Sequence, residues 1–180
     1  EKSEPVEFIV ITGASGSGKT TFLRQLAWLA QTETTAIPLW VKQGGEPDIE
    51  AIAEIYNKTD ERVYLFWDNL ELNKKYISKF IKAAKSRKLK VSIVGCERSN
   101  LWSSQCETLD EFSTKLYKLN RVSKDEIDKL MYKLEEFNIL NSHLKSLSHE
   151  LRCEYVENTS ERHLLVALYE ITTGRRFQEI

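Results

Sequence analysis

The stretch Phe8-Ile9-Val10-Ile11-Thr12-Gly13-Ala14-Ser15-Gly16-Ser17-Gly18-Lys19-Thr20-Thr21 decides the fold. Its apolar run, Phe8 to Ile11, reads as a short strand covered on both faces, the pattern of a strand inside a parallel sheet. A helix should follow at once, because Phe22, Leu23, Leu26, Ala27 and Ala30 recur at three- and four-residue steps and make one apolar stripe. Between the two, Gly13 to Thr20 match Gly-x-x-x-x-Gly-Lys-[Ser/Thr] at every fixed position. Without Cβ atoms, Gly13, Gly16 and Gly18 let successive backbone N–H groups curl around a phosphate at the positive end of the helix. Lys19 adds a cation for the β- and γ-phosphates, and the Thr20 hydroxyl is a Mg2+ ligand. The expected phosphate-binding set is Gly13, Ala14, Ser15, Gly16, Ser17, Gly18, Lys19, Thr20 and Thr21. A small-residue turn between strand and helix would explain the glycines but not the lysine followed by threonine.

Outward from this loop, strands and helices alternate. Ala36 to Val41 is a second strand candidate, broken by Gly44 and Gly45, and Pro47 is expected just inside a helix carrying Ile49, Ile52, Ala53 and Tyr56 on one side. Val63 to Trp67 is a third strand; Asn73 is placed to cap the helix of Ile77, Phe80, Ile81 and Ala84; Val91 to Val94 is a fourth strand, stopping at Gly95. After residue 113 the pattern changes to a strand candidate, Lys115 to Leu119, followed by helices. Ser123 with Glu126 makes a capping box ahead of Ile127, Leu130, Met131, Leu134 and Phe137. Leu140, Leu144, Leu147 and Leu151 imply another helix, and Leu164, Leu165, Leu168, Tyr169 and Thr172 a last one ended by Gly174, with Arg175 and Arg176 beyond. The expectation is an α/β fold: a parallel-sheet core with helices on both faces over 1–113, then a small strand-and-helix subdomain over 114–180.

Composition narrows the partners. The 180 residues carry 26 Lys+Arg against 27 Asp+Glu, a formal charge of −1, and 41% are hydrophobic. A near-neutral chain generates no field that concentrates nucleic acid or an anionic membrane, so direct binding to either is not expected. Three cysteines, Cys96, Cys106 and Cys153, without Cys-x-x-Cys spacing indicate neither a disulfide framework nor a zinc site, and free thiols fit a reducing cytoplasm. No apolar run approaches the length of a membrane span. The first residue is Glu1 rather than Met, which reads as a segment of something longer.

A second acidic element completes the chemistry. Val63-Tyr64-Leu65-Phe66-Trp67-Asp68 runs hydrophobic into acid, delivering a carboxylate to the carboxyl edge of the sheet, where Asp68 would hold magnesium beside the phosphates. The next residue, Asn69, is an amide and cannot accept a proton from an attacking water, so Glu71 is the nearest replacement as base. Arg98, after the fourth strand, is placed to reach a γ-phosphate. The expected catalytic group is therefore Lys19, Asp68, Glu71 and Arg98, with Thr20 and Asp68 on the metal. Asn57-Lys58-Thr59-Asp60 spells the guanine-reading tetrad Asn-Lys-x-Asp, but it precedes Asp68 at a helix end instead of following it on a strand, so adenine is favoured over guanine. Trp28, Trp40, Trp67 and Trp102 sit beside apolar positions and read as packing groups.

This combination resembles the signal-transducing STAND branch of AAA+-like P-loop NTPases, in particular the novel STAND type of prokaryotic defence proteins. Leu119-Asn120-Arg121-Val122-Ser123-Lys124-Asp125-Glu126-Ile127 looks like the Leu-x-x-Leu-Ser-x-x-Glu opening of a STAND helical lid, and Arg162-His163-Leu164-Leu165-Val166-Ala167-Leu168 looks like a lid helix. The resemblance implies binding of ATP or ADP with Mg2+, a nucleotide-dependent switch with slow hydrolysis, flanking sensor and effector domains, and a nucleotide-dependent homo-oligomer. The Gly-x-Pro of many STAND lids is missing, which leaves Arg162 and His163 as the nucleotide contacts from the lid. Three other readings stay open: a nucleotide-stabilised interaction module with negligible turnover, a small-molecule or nucleotide kinase, and a DNA-loading AAA+ ATPase.

Overall fold

The computed structural model describes residues 4–160 and 162–173, and contacts divide the chain into two compact units: Glu1–Ser15 with Lys19–Leu119, and Gly16–Gly18 with Asn120–Ile180. The first unit holds strands β1 (Val6–Gly13), β2 (Ile37–Trp40), β3 (Val63–Asp68), β4 (Val91–Arg98) and β5 (Lys115–Leu119), all parallel, in the spatial order β2-β3-β4-β1-β5. Helices α1 (Lys19–Glu33), α2 (Ile49–Thr59), α3 (Lys74–Ser86), α4 (Ser99–Gln105) and α5 (Glu107–Asp110) connect them.

Alternation along the strands builds a core on each face. Phe8, Val10, Leu65, Trp67 and Ile93 meet Ile52 of α2, Ile77, Phe80 and Ile81 of α3, and Trp102 of α4. Ile11, Phe66, Val94 and Cys96 point the other way and pack against Leu23 of α1. Helices on both faces of a parallel sheet are the architecture expected from the sequence. Because every strand runs the same way, Gly13, Asp68 and Arg98 end on one edge, and β4 stands between the strand that carries the loop and the strand that carries the acid.

Several local expectations are corrected. Pro47 lies outside α2: Asp48 is the N-cap, its carboxylate accepting from the amides of Glu50 (2.9 Å) and Ala51 (3.3 Å). Asn73 occupies the position before α3 but does not cap it; its amide nitrogen donates back to the Asn69 carbonyl at 3.1 Å, closing a 3-10 turn over Leu70–Asn73. Gly95 does not stop β4, which runs on to Arg98. A Cβ at Gly95 would stand 2.3 Å from Leu70 Cδ2, so the glycine is there to let the turn after β3 pack down on β4. The strand of 115–119 does not belong with the helical subdomain. It pairs with β1 from Ile9↔Lys115 to Gly13↔Leu119, and Thr114 ties its start to Phe8 through backbone and hydroxyl, so the sheet unit runs to Leu119 instead of ending at residue 113. Trp67 and Trp102 are packing groups, whereas Trp28 is 66% exposed and Trp40 lies at the surface under the Arg24 guanidinium, 5.9 Å from its ring centre.

The second unit has its own core. Ile127, Met131 and Leu134 of α6 (Lys124–Glu136), Leu144 of α7 (Ser142–Lys145), Val156 of α8 (His149–Ser160) and Ala167 and Ile171 of α9 (Leu164–Thr173) cluster together. Full burial of such side chains contributes roughly 1.5–3 kcal/mol each, enough to hold short helices that would not form alone. The capping box at Ser123 is formed: the Glu126 amide donates to Ser123 Oγ (3.3 Å), and the Ser123 amide to Glu126 Oε2 (2.7 Å). The single helix expected through Leu140–Leu151 is two, because Asn141 caps α7 and the chain restarts at α8, leaving Leu151 half exposed. The inward face of α9 is Ala167 and Ile171, with Leu168 of the expected stripe packed against the same core, while Leu165 and Thr172 are exposed. Buried Arg152 joins these helices, donating to the Leu144 carbonyl (2.6 Å) and to Glu135 Oε1 (2.8 Å). The expected stop at Gly174 and the arginines Arg175 and Arg176 lie outside the described residues.

Candidate nucleotide-binding site

The loop begins where β1 ends, at Gly13, which is in register with Arg98 of β4 and Leu119 of β5. Gly16 (φ 72°) and Gly18 (φ 86°) adopt left-handed backbone that L-residues with side chains occupy only under strain, so both glycines are required by the turn itself. The first turn of α1 contains no acidic residue, leaving the positive end of its dipole without a carboxylate of its own. Lys19 Nζ reaches back across the loop to the carbonyls of Ala14 (2.7 Å) and Gly13 (3.2 Å). Burial pushes this ammonium below its ordinary pKa and Arg98 acts the same way, while the Glu97 and Asp68 carboxylates pull it back up. Thr21 is exposed in the same helical turn.

Asp68, the last residue of β3, is gripped from three sides. Thr20 Oγ1 donates to its Oδ2 at 2.8 Å; Cys96 Sγ donates to its Oδ1 at 3.0 Å; its Oδ1 also accepts from the Asn69 amide at 2.9 Å. Burial, followed by the carboxylate beside it, holds the Cys96 thiol far above its ordinary range, so it remains a donor. A hydroxyl and a carboxylate oxygen side by side at a helix start are hard donors of the kind Mg2+ takes, and the pair fits that ion. Asp68 is in register with Cys96, so the acid is positioned by strand pairing as well as by its hydrogen bonds.

Glu97 is a residue that sequence reasoning passed over. It is 3% exposed, and its two carboxylate oxygens accept the amides of Glu71 (2.8 Å) and Arg98 (2.7 Å). The signal is partial: the strand pattern of Val91 to Val94 leads through Gly95 and Cys96 into acid, a broken version of the run that marks Asp68. Glu71 stands in the 3-10 turn after β3, held through its amide by Glu97, and its carboxylate lies 3.7 Å from Lys74 Nζ. Arg98 closes β4 beside Gly13. Asn69 takes left-handed backbone (φ 54°), a conformation asparagine tolerates better than most residues.

Arg162 and His163 sit in the turn between α8 and α9, Arg162 with φ 62° and its amide bonded to Ser160 Oγ at 3.1 Å. Within the same unit the Leu165 amide donates to the Gly16 carbonyl at 3.2 Å. Asn57-Lys58-Thr59-Asp60 closes α2, with Asp60 in left-handed backbone just before β3 begins. That is the sheet edge opposite Asp68, a strand length of about 20 Å away, too far to read a base bound at the loop.

Among curated proteins no sequence match is found. Solved structures give the fold. The chain aligns over 96% of its length with a component of the E. coli MS115-1 HORMA:CdnC:Trip13 complex (16% identity, TM-score 0.63), and over 90% with RuvB of Thermotoga maritima (16%, 0.58). It also aligns over 86% with the FIGL-1 AAA domain, solved in complex with ADP (12%, 0.56). It spans 66%, 52% and 55% of those chains respectively, so it corresponds to part of each. These are P-loop NTPases of the AAA+ type. The family model for novel STAND NTPase 5 matches residues 1–110, which include the loop, Asp68 and the first four strands, and the chain belongs to that family.

Proposed function

We propose that this NTPase module is an adenine-nucleotide switch that binds ATP and ADP with Mg2+, hydrolyses ATP slowly, and works inside a larger cytoplasmic defence or signalling protein with sensor and effector domains. The observation that carries the reading is the 2.8 Å bond between Thr20 and Asp68 at the mouth of a loop in which Gly16 and Gly18 already hold left-handed backbone. In this reading residues 13–18 cradle the phosphates through their amides, Lys19 moves from its carbonyl partners to the β- and γ-phosphates, and Thr21 adds a further contact in the helical turn. Thr20 and Asp68 hold Mg2+, which when bound supplies charge neutralisation between those phosphates. Arg98 and Glu71 act at the γ-phosphate end, Glu71 from a turn anchored by Glu97. Arg162 and His163 contribute from the helical unit, which serves as the lid. A triphosphate with its cation makes contacts a diphosphate cannot, so the two nucleotides favour different lid states, and a homo-oligomer forms in the ATP state. No helix among the described residues is long and apolar enough to cross a membrane.

Slow turnover follows from Asn69, an amide where a proton acceptor is wanted, and from the ion pair of Glu71 with Lys74. The same two facts favour the second reading, a nucleotide-stabilised interaction module with negligible turnover. Calorimetry with Mg2+ and each of ATP, ADP and GTP tests binding, and multiple-turnover phosphate release with Lys19→Ala as control separates the two readings. Adenine nucleotide should bind and phosphate release should be slow and lysine-dependent. Absence of heat, or preference for GTP, overturns the proposal. Acceptor-dependent ADP release would make the chain a kinase instead.

A further inference from the structure

The second unit carries a side-chain cluster that the nucleotide site does not use. His149 and Cys153 are four residues apart on α8 and so share one face, and Asp128 of α6 meets them there. His149 Nε2 lies 2.7 Å from Asp128 Oδ1 and 3.6 Å from Cys153 Sγ, and the three donor atoms all fall within 4.8 Å of one another. The ring plane is set by Tyr132, stacked on the imidazole at 3.9 Å between centroids and 23° between planes.

The composition of the cluster invites comparison with a thiol-imidazole-carboxylate relay, and the geometry excludes it. A relay needs the carboxylate on one ring nitrogen and the nucleophile on the other. Here both approach Nε2, while Nδ1 is buried without a hydrogen-bond partner. Three donors within 4.8 Å of one another are instead what a cation can gather. With a metal–nitrogen bond of about 2.0 Å and a metal–sulfur bond of about 2.3 Å, tetrahedral geometry places the two donors about 3.5 Å apart, against the 3.6 Å found between Nε2 and Sγ. The oxygen must retreat from its hydrogen bond by roughly half an ångström and settle about 3.5 Å from Sγ to reach the same geometry, and the Asp128 side chain, 50% exposed, has room to move.

We propose that Asp128, His149 and Cys153 form a binding site for a divalent transition ion of the zinc class, with solvent in the fourth position. Imidazole, thiolate and carboxylate together are the mixed set that suits zinc and disfavours magnesium and calcium, which take oxygen. Thiolate and carboxylate balance the charge of the ion. The thiol proton passes to solvent as the metal–sulfur bond forms, and the imidazole proton moves from Nε2 to Nδ1, where no other partner is displaced. The bound ion clips α6 to α8, adding a cross-link to a unit otherwise held by a small apolar cluster.

The test uses the purified chain, stripped with chelator under reducing conditions and titrated with Co2+ as a spectroscopic probe and Zn2+ as competitor. One equivalent of Co2+ should produce thiolate charge-transfer absorption and intense tetrahedral bands, both lost on adding Zn2+. Cys153→Ser should abolish the charge transfer; His149→Ala and Asp128→Asn should weaken affinity about tenfold or more. The nucleotide site also has a thiol near a carboxylate, so Cys96→Ser is run in parallel and should keep the absorption. If Cys153→Ser does not fold, alkylation of the native wild-type protein replaces it, since Cys96 and Cys106 are buried and Cys153 is partly exposed. Zn2+ should also raise the unfolding midpoint of the wild type. No charge transfer, charge transfer surviving loss of the Cys153 thiol, loss with Cys96→Ser, or an unmoved midpoint overturns the proposal.

Discussion

Thr20 donates to Asp68 at 2.8 Å across forty-eight positions of sequence, joining the first turn of α1 to the end of β3. The bond means that the two proposed magnesium ligands are assembled as a pair by the fold. Asp68→Asn and Thr20→Ala should each lower ATP affinity about tenfold or more in the presence of Mg2+, the scale of a lost contact to a charged group, and by much less in its absence. Calorimetry with and without the ion reads this out; equal losses in both conditions would place the pair outside the metal site.

Leu70 against Gly95 is the next point of stress. Gly95→Ala puts a methyl 2.3 Å from Leu70 Cδ2 in a fully buried contact, and overpacking of this kind costs typically 1–3 kcal/mol. The doubly substituted chain, with Leu70→Ala added, should unfold at higher denaturant than the sum of the two single losses predicts, because the cavity accepts the new methyl. Additive denaturation midpoints would show that the contact is not shared.

Glu97→Gln removes one of the two acceptors that hold the Glu71 and Arg98 amides. As a positioning residue it should act on turnover more than on binding: kcat for ATP falls severalfold with KM little changed, and Glu71→Gln falls in the same direction. If Glu71→Gln leaves kcat intact while Glu97→Gln does not, Glu71 is not the base, and the anchored turn serves the strand end instead.

What was legible in the sequence, and what was not, divides along a physical line. The loop from Gly13 to Thr20 is a local object: strand, glycines and helix start are contiguous, and Gly16 and Gly18 have left-handed φ for reasons internal to the turn. The capping box at Ser123 is equally local and was read correctly. Gly95 reads as a stop in the sequence because its reason is Leu70, a residue of another element, and no pattern within Val91–Arg98 reveals that contact. Lys115–Leu119 reads with the helices that follow it for the same cause, since pairing with β1 is decided by a partner about a hundred residues earlier. Glu97 is hard to read because a charged residue after a glycine and a cysteine looks like a loop, whereas two backbone amides satisfy its buried carboxylate. The α9 stripe is legible only at Leu168, because a helix with apolar residues all round has no single apolar side to read.

The Ser123 and Glu126 box gives a pH dependence with a definite sign. The Ser123 amide, then its hydroxyl, donate to the Glu126 carboxylate and hold its pKa below the ordinary value. A carboxylate depressed in the folded state stabilises above its unfolded pKa, and that contribution is lost as pH falls through the folded value. Ser123→Ala should therefore destabilise the chain by about 1 kcal/mol at neutral pH, and its difference from wild type in urea melts should shrink toward pH 3. A constant difference across that range would show that the Ser123 hydroxyl does not hold the Glu126 carboxylate.

The position of β4 between β1 and β3 has a dimensional consequence. Two inter-strand steps of about 4.8 Å separate the strand that bears the loop from the strand that bears the acid, so the aperture proposed to admit a triphosphate is gauged by backbone ladders and not by rotamers. Evolution can retune what lines that aperture one side chain at a time, but its width is inherited with the threading of the sheet.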